Sequence, residues 1–193
     1  PIINAHAQVL GFGGRALGDV QPKYLNTADT LVFNKRMGVY GIHLLKKQRN
    51  LSRVLLVEGY MDVVSLVQHG VPGVVATLGT AMTLEQARLL KRYAPQVTLC
   101  YDGDSAGQTA ILRALSVLEE AEVAARVVKI PGGRDPDEFI REEGKEAFDA
   151  IALLQPVMYR MQRAREDYDL ATQEGRSGYA IAAAALIRAV REP

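Results

Sequence analysis

The sequence predicts an α/β protein built on a parallel sheet with helices on both faces. The first observation is a pair of short apolar runs, 54–57 and 97–101, each of which stops at glycine and acidic residues. Short aliphatic and β-branched runs bounded in this way are typical of buried parallel strands. The second observation is that helical patterns separate these runs from further strands at 73–77 and 124–130. Strands that alternate with helices favour a three-layer core.

Residues 1–35 are predicted to form a small, glycine-rich and mostly extended module. Apolar and polar residues alternate at 8–12, and Gly13-Gly14 then permits a tight turn or a bulge. The segment 22–26 is typical of a turn that enters a short extended piece. The β-branched and aromatic content of 30–33 predicts a further strand.

Helices are predicted between the strands and again at the C-terminus. They cover 39–49, 62–70, 83–93 and 105–121 in the first part of the chain, and 157–168 and 178–191 after it. Thr83 is expected to cap its helix, with Gln86 as the capping-box partner. A linker is expected at 173–178, and the pattern is helical from about residue 148 onward, as in a helical bundle. We therefore expect three domains, at 1–50, 51–150 and 151–193.

The composition excludes several classes of protein. No apolar run approaches the roughly 20 residues that a membrane span needs, so no membrane partner is expected. Cys100 is the one cysteine, which excludes an internal disulfide and a cysteine-based zinc site and favours a reducing, cytoplasmic compartment. The chain shows no signal-peptide pattern, and because it starts with Pro1 rather than Met we expect a fragment of a longer protein.

The charge is distributed unevenly, although the net charge is only +1. Residues 1–50 hold seven Lys or Arg and two acids, whereas the remainder holds 16 basic and 20 acidic residues. A basic module beside an acidic region suits a polyanion that is both held and processed. A solvated basic surface is the alternative explanation of this asymmetry.

Five acids follow the predicted strands, and these are Glu58, Asp102, Asp104, Asp135 and Asp137. Because the carboxyl ends of parallel strands meet at one edge of a sheet, we expect these side chains to gather there. Two carboxylates 4 Å apart repel each other by about 4 kcal/mol at an effective dielectric of about 20, so the group needs a divalent cation. Oxygen ligands without a His or Cys set favour Mg²⁺ or Mn²⁺. The alternative is that acids such as Asp62 and Asp135 only cap the helices that follow them.

Carboxylate-bound metal ions suit phosphoryl transfer, because they align the attacking oxygen and stabilise the leaving group. On this hypothesis Asp102 and Asp104 bind metal directly, and Glu58 either binds metal or accepts the proton of an attacking hydroxyl. Asp135 and Asp137 hold an additional ion, which can arrive with a triphosphate. The candidates for contacting a triphosphate or a nucleic-acid backbone are Arg15, Lys23 and Lys35.

These motifs resemble the TOPRIM module of bacterial DnaG-type DNA primases. The matching segments are Glu58-Gly59-Tyr60-Met61-Asp62, Asp102-Gly103-Asp104-Ser105-Ala106-Gly107 and Asp135-Pro136-Asp137, with Gly11-Phe12-Gly13-Gly14-Arg15, Pro22-Lys23-Tyr24-Leu25-Asn26, Phe33 with Lys35, and Val39-Tyr40-Gly41 upstream. Glu-Gly followed by Asp-x-Asp occurs across TOPRIM proteins, whereas Glu-Gly-Tyr-Met-Asp together with Pro-Lys-Tyr-Leu-Asn is much more specific to primases. The resemblance covers residues 8–150 closely, and the helical tail fits the bundle that ends the family's core.

The resemblance implies a TOPRIM parallel sheet sandwiched by helices, preceded by a small basic mixed α+β module and followed by a helical bundle segment. It also implies a DNA-dependent RNA polymerase that makes short RNA primers for DNA replication from ribonucleoside triphosphates, on single-stranded DNA at the replication fork. In the family, a site for more than one Mg²⁺ or Mn²⁺ ion is formed by the acids that match Glu58, Asp102, Asp104, Asp135 and Asp137. The supporting residues are Asp62 and Gly103, and the nucleotide or template contacts are Arg15, Lys23, Tyr24 and Lys35.

The chain also departs from the family pattern. Residues 4–7 lack the Asp and Gly that often precede this hairpin. The zinc-binding module and part of the N-terminal half of the polymerase region are expected to be absent, so no zinc is expected here. The helicase-binding module is also expected to be absent, so a replicative helicase is expected to contact the family only through that missing part. We therefore expect metal and nucleotide binding, with poor primer synthesis or none.

Three rival hypotheses belong to other classes of protein. A TOPRIM nuclease or topoisomerase fragment would nick DNA without nucleoside triphosphates, but the basic module with Lys23-Tyr24 argues against it. A non-catalytic nucleic-acid-binding module would bind template regardless of Mg²⁺ and nucleotide. A receiver-like phosphoacceptor domain would form a stable aspartyl phosphate, and the basic glycine-rich module has no place in it.

Overall fold

The computed structural model describes residues 1–18, 21–22 and 24–190. The strands are β1 (Ile2–Ile3), β2 (Val9–Gly11), β3 (Gly13–Arg15), β4 (Tyr24–Asn26), β5 (Val54–Val57), β6 (Val74–Ala76), β7 (Gln96–Leu99), β8 (Ala124–Val128) and β9 (Leu153–Leu154). The helices are α1 (Ile42–Leu45), α2 (Tyr60–Gln68), α3 (Leu84–Leu90), α4 (Ser105–Glu120), α5 (Pro136–Asp149), α6 (Pro156–Arg165) and α7 (Gln173–Arg188). Within these described ranges, no helix is both long enough and apolar enough to span a bilayer.

Strands β5 to β9 form the central sheet in the spatial order β6-β5-β7-β8-β9. The first four strands in this order are parallel to their neighbours, which confirms the predicted α/β class, and β9 runs antiparallel to β8. Along β5, Val54 and Leu56 join an apolar cluster with α3 and α4, whereas Leu55 and Val57 join a cluster with α2 and α5. Helices therefore cover both faces of the sheet, which explains why β5 is apolar at every position.

The N-terminal module consists of two antiparallel strand pairs, β1 with β2 and β3 with β4. Gly13 and Gly14 lie within β3, so the turn or bulge predicted at this position is wrong. The ring of Tyr60 explains the glycine at position 13, because a Cβ there would lie 2.5 Å from Cε2 of that ring. The extended piece predicted near 22–26 corresponds to β4.

The strand predicted at 30–33 is also wrong. The Thr30 hydroxyl accepts the backbone N–H of Phe33 at 3.1 Å, and the Thr30 N–H donates to the Phe33 carbonyl at 2.8 Å. Leu31 and Val32 are exposed in this local turn, and only Phe33 turns into the core. A threonine that bonds locally in this way removes the backbone from the ladder that a strand would need.

The helix predicted at 39–49 is much shorter, because only the residues of α1 are helical. The backbone N–H of Tyr40 donates to the Ala76 carbonyl at 2.8 Å, and its carbonyl accepts the Ala76 N–H at 3.1 Å. Gly41 then has a φ of 85°, in the left-handed region, which ends any helical path towards the N-terminus. Pairing with the edge of β6 therefore overrides the amphipathic pattern.

Two further corrections concern helices. The sequence predicts no helix before residue 148 in this region, whereas α5 begins earlier with Asp135 as its N-cap. The sequence also predicts a linker at 173–178, whereas α7 covers this stretch. The Thr172 hydroxyl accepts the N–H of Gly175 at 3.0 Å, and this cap starts the helix ahead of its glycines.

The capping box predicted for α3 is confirmed, and its side chains reach beyond the helix. Thr83 Oγ1 accepts the Gln86 N–H at 3.2 Å, and Gln86 Oε1 accepts the Thr83 N–H at 3.0 Å. The fully buried Gln86 amide also donates to the carbonyls of Lys35 at 3.0 Å and Gly38 at 2.8 Å. One buried side chain therefore ties the segment before α1 to the sheet unit.

We predict that Gln86→Leu lowers the free energy of unfolding by about 3 kcal/mol, because each buried backbone group left without its partner costs about 1–3 kcal/mol. The matched control is Gln68→Leu, at an exposed position of α2, for which we expect a change of about 0.5 kcal/mol or less. Urea unfolding followed by circular dichroism measures both variants. Equal stability of the two would contradict the structural role of Gln86.

Candidate functional site

Acidic side chains meet where the neighbouring strands β5, β7 and β8 end. Glu58 directly follows β5, Asp102 comes soon after β7, and Asp135 follows β8 after a 3-10 turn at Pro131–Gly133. These strands are adjacent in the sheet, so their carboxyl ends lie at one edge, where a cavity of about 390 Å³ opens. The lining of this cavity includes Glu58, Asp62, Asp102, Asp135 and Asp137 from the sheet edge, with Arg15, Tyr24, Asn26 and Tyr60.

Glu58 is half-buried beside the first turn of α4. Its Oε1 accepts the backbone N–H of Asp102 at 3.2 Å. Burial, and then the negative charges of Asp102 and Asp104, raise the pKa of Glu58 from 4.5 to about 7. A carboxyl group with this pKa can exchange a proton near neutral pH, as a general base must.

Asp62 is the buried acid of the group, with 7% of its surface exposed. Its Oδ2 accepts the backbone N–H of Gly59 at 3.0 Å, which closes the first turn of α2. Burial, followed by the charges of Asp102 and Asp135, raises the pKa of Asp62 from 3.8 to about 7. Asp62, which the resemblance gives as a supporting residue, therefore lines the cavity itself.

Asp102 interacts with the acids of two different strand ends. Burial raises its pKa, and the next contributions are the charge of Asp135 and then that of Asp104. Asp135 thus affects Asp102 more strongly than Asp104 does, although Asp104 belongs to the same Asp-Gly-Asp turn. Asp104 is not among the residues that line the cavity, whereas Asp102 and Asp135 are.

Several of these acids also cap helices, as the alternative hypothesis allows. Asp104 Oδ1 accepts the N–H of Gly107 at 2.7 Å at the start of α4, and Asp135 Oδ1 accepts the N–H of Glu138 at 2.6 Å at the start of α5. Asp137 Oδ2 instead pairs with Arg141 at 2.9 Å. A carboxylate has two oxygens and about four lone-pair sites, so a capping bond leaves capacity for a metal ion.

The predicted basic and aromatic contacts separate into two groups. Arg15 and Tyr24 face each other across the β3–β4 pair, with the guanidinium 5.6 Å from the centre of the ring, and both line the cavity. Lys35 is half-buried away from the cavity lining, and its backbone N–H donates to Asp29 at 3.1 Å. Lys23, which the sequence also predicts as a contact, lies outside the described residues.

The donor chemistry of the cavity fits a hard divalent cation, since its acidic ligands are all carboxylate oxygens. Among residues 1–18, 21–22 and 24–190, no three His, Cys, Asp or Glu side chains already stand close enough together to hold a metal ion. In the same part of the chain, no salt bridge neutralises Glu58, Asp62 or Asp102. By ligand type the residues present therefore fit a hard divalent cation, but their spacing is not that of an assembled ligand set.

Sequence reasoning missed six of the residues that line the cavity, and two of these, Asn26 and Tyr60, hydrogen-bond to each other. The hydroxyl of Tyr60 donates to Asn26 Oδ1 at 2.8 Å and so joins α2 to β4. Both residues belong to the motifs that carry the resemblance, Pro-Lys-Tyr-Leu-Asn and Glu-Gly-Tyr-Met-Asp. The signal was therefore present in the sequence, but nothing there indicated that the two motifs touch.

Comparison with protein families divides the chain into three matched segments. Residues 55–140 match the model described as Toprim-like, and residues 1–46 match the model of the DNA primase catalytic core, N-terminal domain. Residues 157–193 match a model described as the DnaB-helicase binding domain of primase. This last match disagrees with the expectation that a helicase-binding module is absent here. The sheet with its acidic edge accordingly defines a Toprim-like protein.

Individual relatives agree with these matches. A DNA primase of Clostridium acetobutylicum is 46% identical over 179 residues, which cover 90% of this chain and 30% of that protein. A DNA primase domain from Pseudomonas aeruginosa superposes with a TM-score of 0.84 at 39% identity, covering 97% of this chain and 61% of that one. The RNA polymerase domain of Mycobacterium tuberculosis primase DnaG, crystallised with a double-stranded DNA oligomer with a 6-nucleotide overhang, gives 0.84 at 28% identity, covering 100% of this chain and 64% of that one.

The chain belongs to the DnaG-type DNA primase family and corresponds to part of its catalytic core. It spans about a third of the length of the curated relatives that it matches. The resemblance stated from the motifs is therefore confirmed.

We predict that, without divalent cations, Asp62 makes a contribution to the free energy of unfolding that falls as pH rises, and that Asp62→Asn removes this contribution. The folded carboxyl of Asp62 has a pKa of about 7 against 3.8 ordinarily, so the folded chain binds this proton more tightly than the unfolded chain. Its contribution is complete below pH 3.8 and is lost as pH rises through about 7. Urea unfolding between these pH values in EDTA measures the slope.

The control for this pH dependence is Asp167→Asn, which removes an exposed carboxyl that does not line the cavity. This variant should keep the slope of the unmodified chain. Addition of Mg²⁺ should flatten the slope of the unmodified chain, because a cation bound by the neighbouring acids offsets the charges of Asp102 and Asp135 that raise the pKa of Asp62. A slope that is the same in Asp62→Asn and Asp167→Asn would contradict the prediction.

Proposed function

We propose that this chain is the metal-binding part of a primase catalytic core, which synthesises short RNA primers on a DNA template for DNA replication. The observation that carries the proposal is the convergence of carboxylates from three neighbouring strand ends on one cavity that Arg15 and Tyr24 also line. Membership of the primase family supports the reaction type, a nucleotidyl transfer. The parts assigned to it are a basic polymerase segment at 1–50, a metal-binding TOPRIM domain at 51–150 and a helical segment at 151–193.

The proposed metal ligands are the acids Glu58, Asp102, Asp104, Asp135 and Asp137. Bound Mg²⁺ or Mn²⁺, in more than one copy, would neutralise developing negative charge on the transferred phosphoryl group. In the reaction a 3′-hydroxyl oxygen forms a bond to the α-phosphorus of the incoming nucleotide, and the bond from that phosphorus to pyrophosphate breaks. Glu58 either binds one of these ions, in which case water takes the hydroxyl proton, or accepts the proton itself.

The remaining residues of the proposed site bind and position. Arg15 contacts phosphate oxygens. Its guanidinium lies over the face of the Tyr24 ring, which supports it. Asp62 and Gly103 support the acidic turns, and Lys23 and Lys35 are proposed to contact template or nucleotide. The Asp104 side chain would serve both as helix cap and as ligand, since its capping bond occupies one oxygen.

The proposed partners are a single-stranded DNA template, ribonucleoside triphosphates and the RNA primer. The complex of the M. tuberculosis RNA polymerase domain with a DNA oligomer supports template binding. The match of residues 157–193 to a helicase-binding model supports a helicase contact through this segment, and not only through a missing module. The proposed location is the replication fork in the cytoplasm.

We predict that this chain binds a fluorescent nucleoside triphosphate in Mn²⁺ or Mg²⁺ and that Asp102→Asn weakens the binding about 10- to 100-fold. The reason is that a charge-assisted interaction lost at a buried site costs about 1.5–3 kcal/mol. Fluorescence anisotropy measures the affinity, and Mn²⁺ electron paramagnetic resonance measures the metal alone. The control Asp167→Asn should bind nucleotide and metal like the unmodified chain.

Other outcomes of this experiment would favour another class of protein. Nucleotide binding that persists in EDTA and in Asp102→Asn would contradict the proposed metal site. Nicking of supercoiled DNA without nucleoside triphosphates would instead favour a TOPRIM nuclease. Template binding that depends on neither metal nor nucleotide would favour a non-catalytic binding module.

A further inference from the structure

Tyr60 connects the two modules that build the cavity. It lies in the first turn of α2, between Glu58 and Asp62 in the sequence, and its hydroxyl donates to Asn26 Oδ1 at 2.8 Å. Asn26 is the last residue of β4, and its own side-chain amide is 3.5 Å from the Leu78 carbonyl in the loop after β6. In the described part of the chain, the hydrogen bonds that join the β3–β4 pair to the sheet unit both pass through Asn26.

Packing contacts hold the ring of Tyr60, just as a hydrogen bond holds its hydroxyl. It packs on Tyr40 with 4.7 Å between ring centres, and Tyr40 is bonded through its backbone to Ala76 in β6. On the other side the ring lies against Gly13 in β3, where a Cβ would approach Cε2 to 2.5 Å. The ring therefore stands between the parallel sheet and the β3–β4 pair, and little freedom remains for its hydroxyl.

The β3–β4 pair links the position of Asn26 to the position of Arg15. Gly13 is opposite Asn26 in the register, and two residues further along Arg15 is opposite Tyr24. Arg15 and Tyr24 line the same cavity as Glu58, Asp102 and Asp135. A shift of Asn26 relative to α2 would consequently move the guanidinium of Arg15 relative to the carboxylates.

We propose that Tyr60 is a positioning residue, whose hydroxyl acts through Asn26 to hold Arg15 at the distance from the acidic edge that an anionic phosphate ligand requires. This role rests on the proposed function, because the ligand that Arg15 holds is the triphosphate or the nucleic-acid phosphate. It assigns to the tyrosine of Glu-Gly-Tyr-Met-Asp a role in nucleotide affinity, without contact to the reacting atoms.

The test is Tyr60→Phe, which keeps the ring between Tyr40 and Gly13 and removes only the hydroxyl. Loss of one hydrogen bond between the modules should speed amide hydrogen exchange in β3 and β4 by about threefold to tenfold and leave β5 and β7 unchanged. Metal-dependent affinity for a fluorescent nucleoside triphosphate should fall by a similar factor. The matched control Tyr40→Phe removes the hydroxyl of the stacked partner and should change neither measurement.

A double-mutant cycle with Arg15→Ala separates positioning from a merely structural effect. If Tyr60 acts through Arg15, then Tyr60→Phe causes no further loss of nucleotide affinity in the Arg15→Ala background. Unchanged hydrogen exchange of β3 and β4 in Tyr60→Phe would overturn the inference, and so would additive losses of affinity. Metal-dependent binding that Arg15→Ala leaves intact in the otherwise unmodified chain would contradict the proposed role of Arg15, and with it the ligand part of this inference.

Discussion

The structure depends on the crowding of carboxyl groups at one edge of a parallel sheet. The order β6-β5-β7-β8 sets the ends of three acid-bearing strands side by side, and each delivers a carboxyl group to the same cavity. Burial is the largest cause that raises the pKa of Glu58, Asp62 and Asp102, and the charge of neighbouring acids adds to it. Ionised acids in such a place destabilise the folded chain until a proton or a cation neutralises them. Folding and protonation are therefore linked at this edge, and a bound cation would be linked to folding in the same way.

Helices α4 and α5 lessen the same electrostatic cost. Asp104 and Asp135 are their N-caps, and the N-terminus of a helix carries a partial positive charge that favours an adjacent carboxylate. Capping and metal binding, which the sequence presents as alternatives, are thus compatible in one residue. The cap fixes the orientation of the carboxylate by one oxygen, and the other oxygen remains available to a ligand.

The parts of the fold that the sequence predicts correctly are those decided by local pattern. The apolar run of β5, the long helix α4 and the capping box of Thr83 with Gln86 each have a signal within a few residues. The predictions fail where a distant contact decides the backbone. Gly13 is extended because β3 pairs with β4, and the backbone of Tyr40 pairs with β6 instead of continuing a helix.

The same division holds for the site. Acids at the ends of strands could be predicted to gather, because parallel strands end at one edge whatever their order. The hydrogen bond between Tyr60 and Asn26 could not be predicted, because it joins two modules and no local pattern encodes how they are placed relative to each other. The effect of each acid on the pKa of the others could not be predicted either, since it depends on which strands are neighbours.

A contact between two glycines brings the turn that carries Asp102 close to the turn that precedes Asp135. A Cβ at Gly103 would lie 2.7 Å from the Cα of Gly133, so the Asp-Gly-Asp turn after β7 touches the turn that precedes Asp135. Meanwhile the carboxylate of Asp104 points to the N–H of Gly107. Asp102 and Asp135 accordingly line one cavity, and the charges of both Asp135 and Asp104 contribute, after burial, to the raised pKa of Asp102. The acidic lining of the cavity is consequently formed between adjacent strand ends, and the Asp-Gly-Asp turn supplies only one side of it.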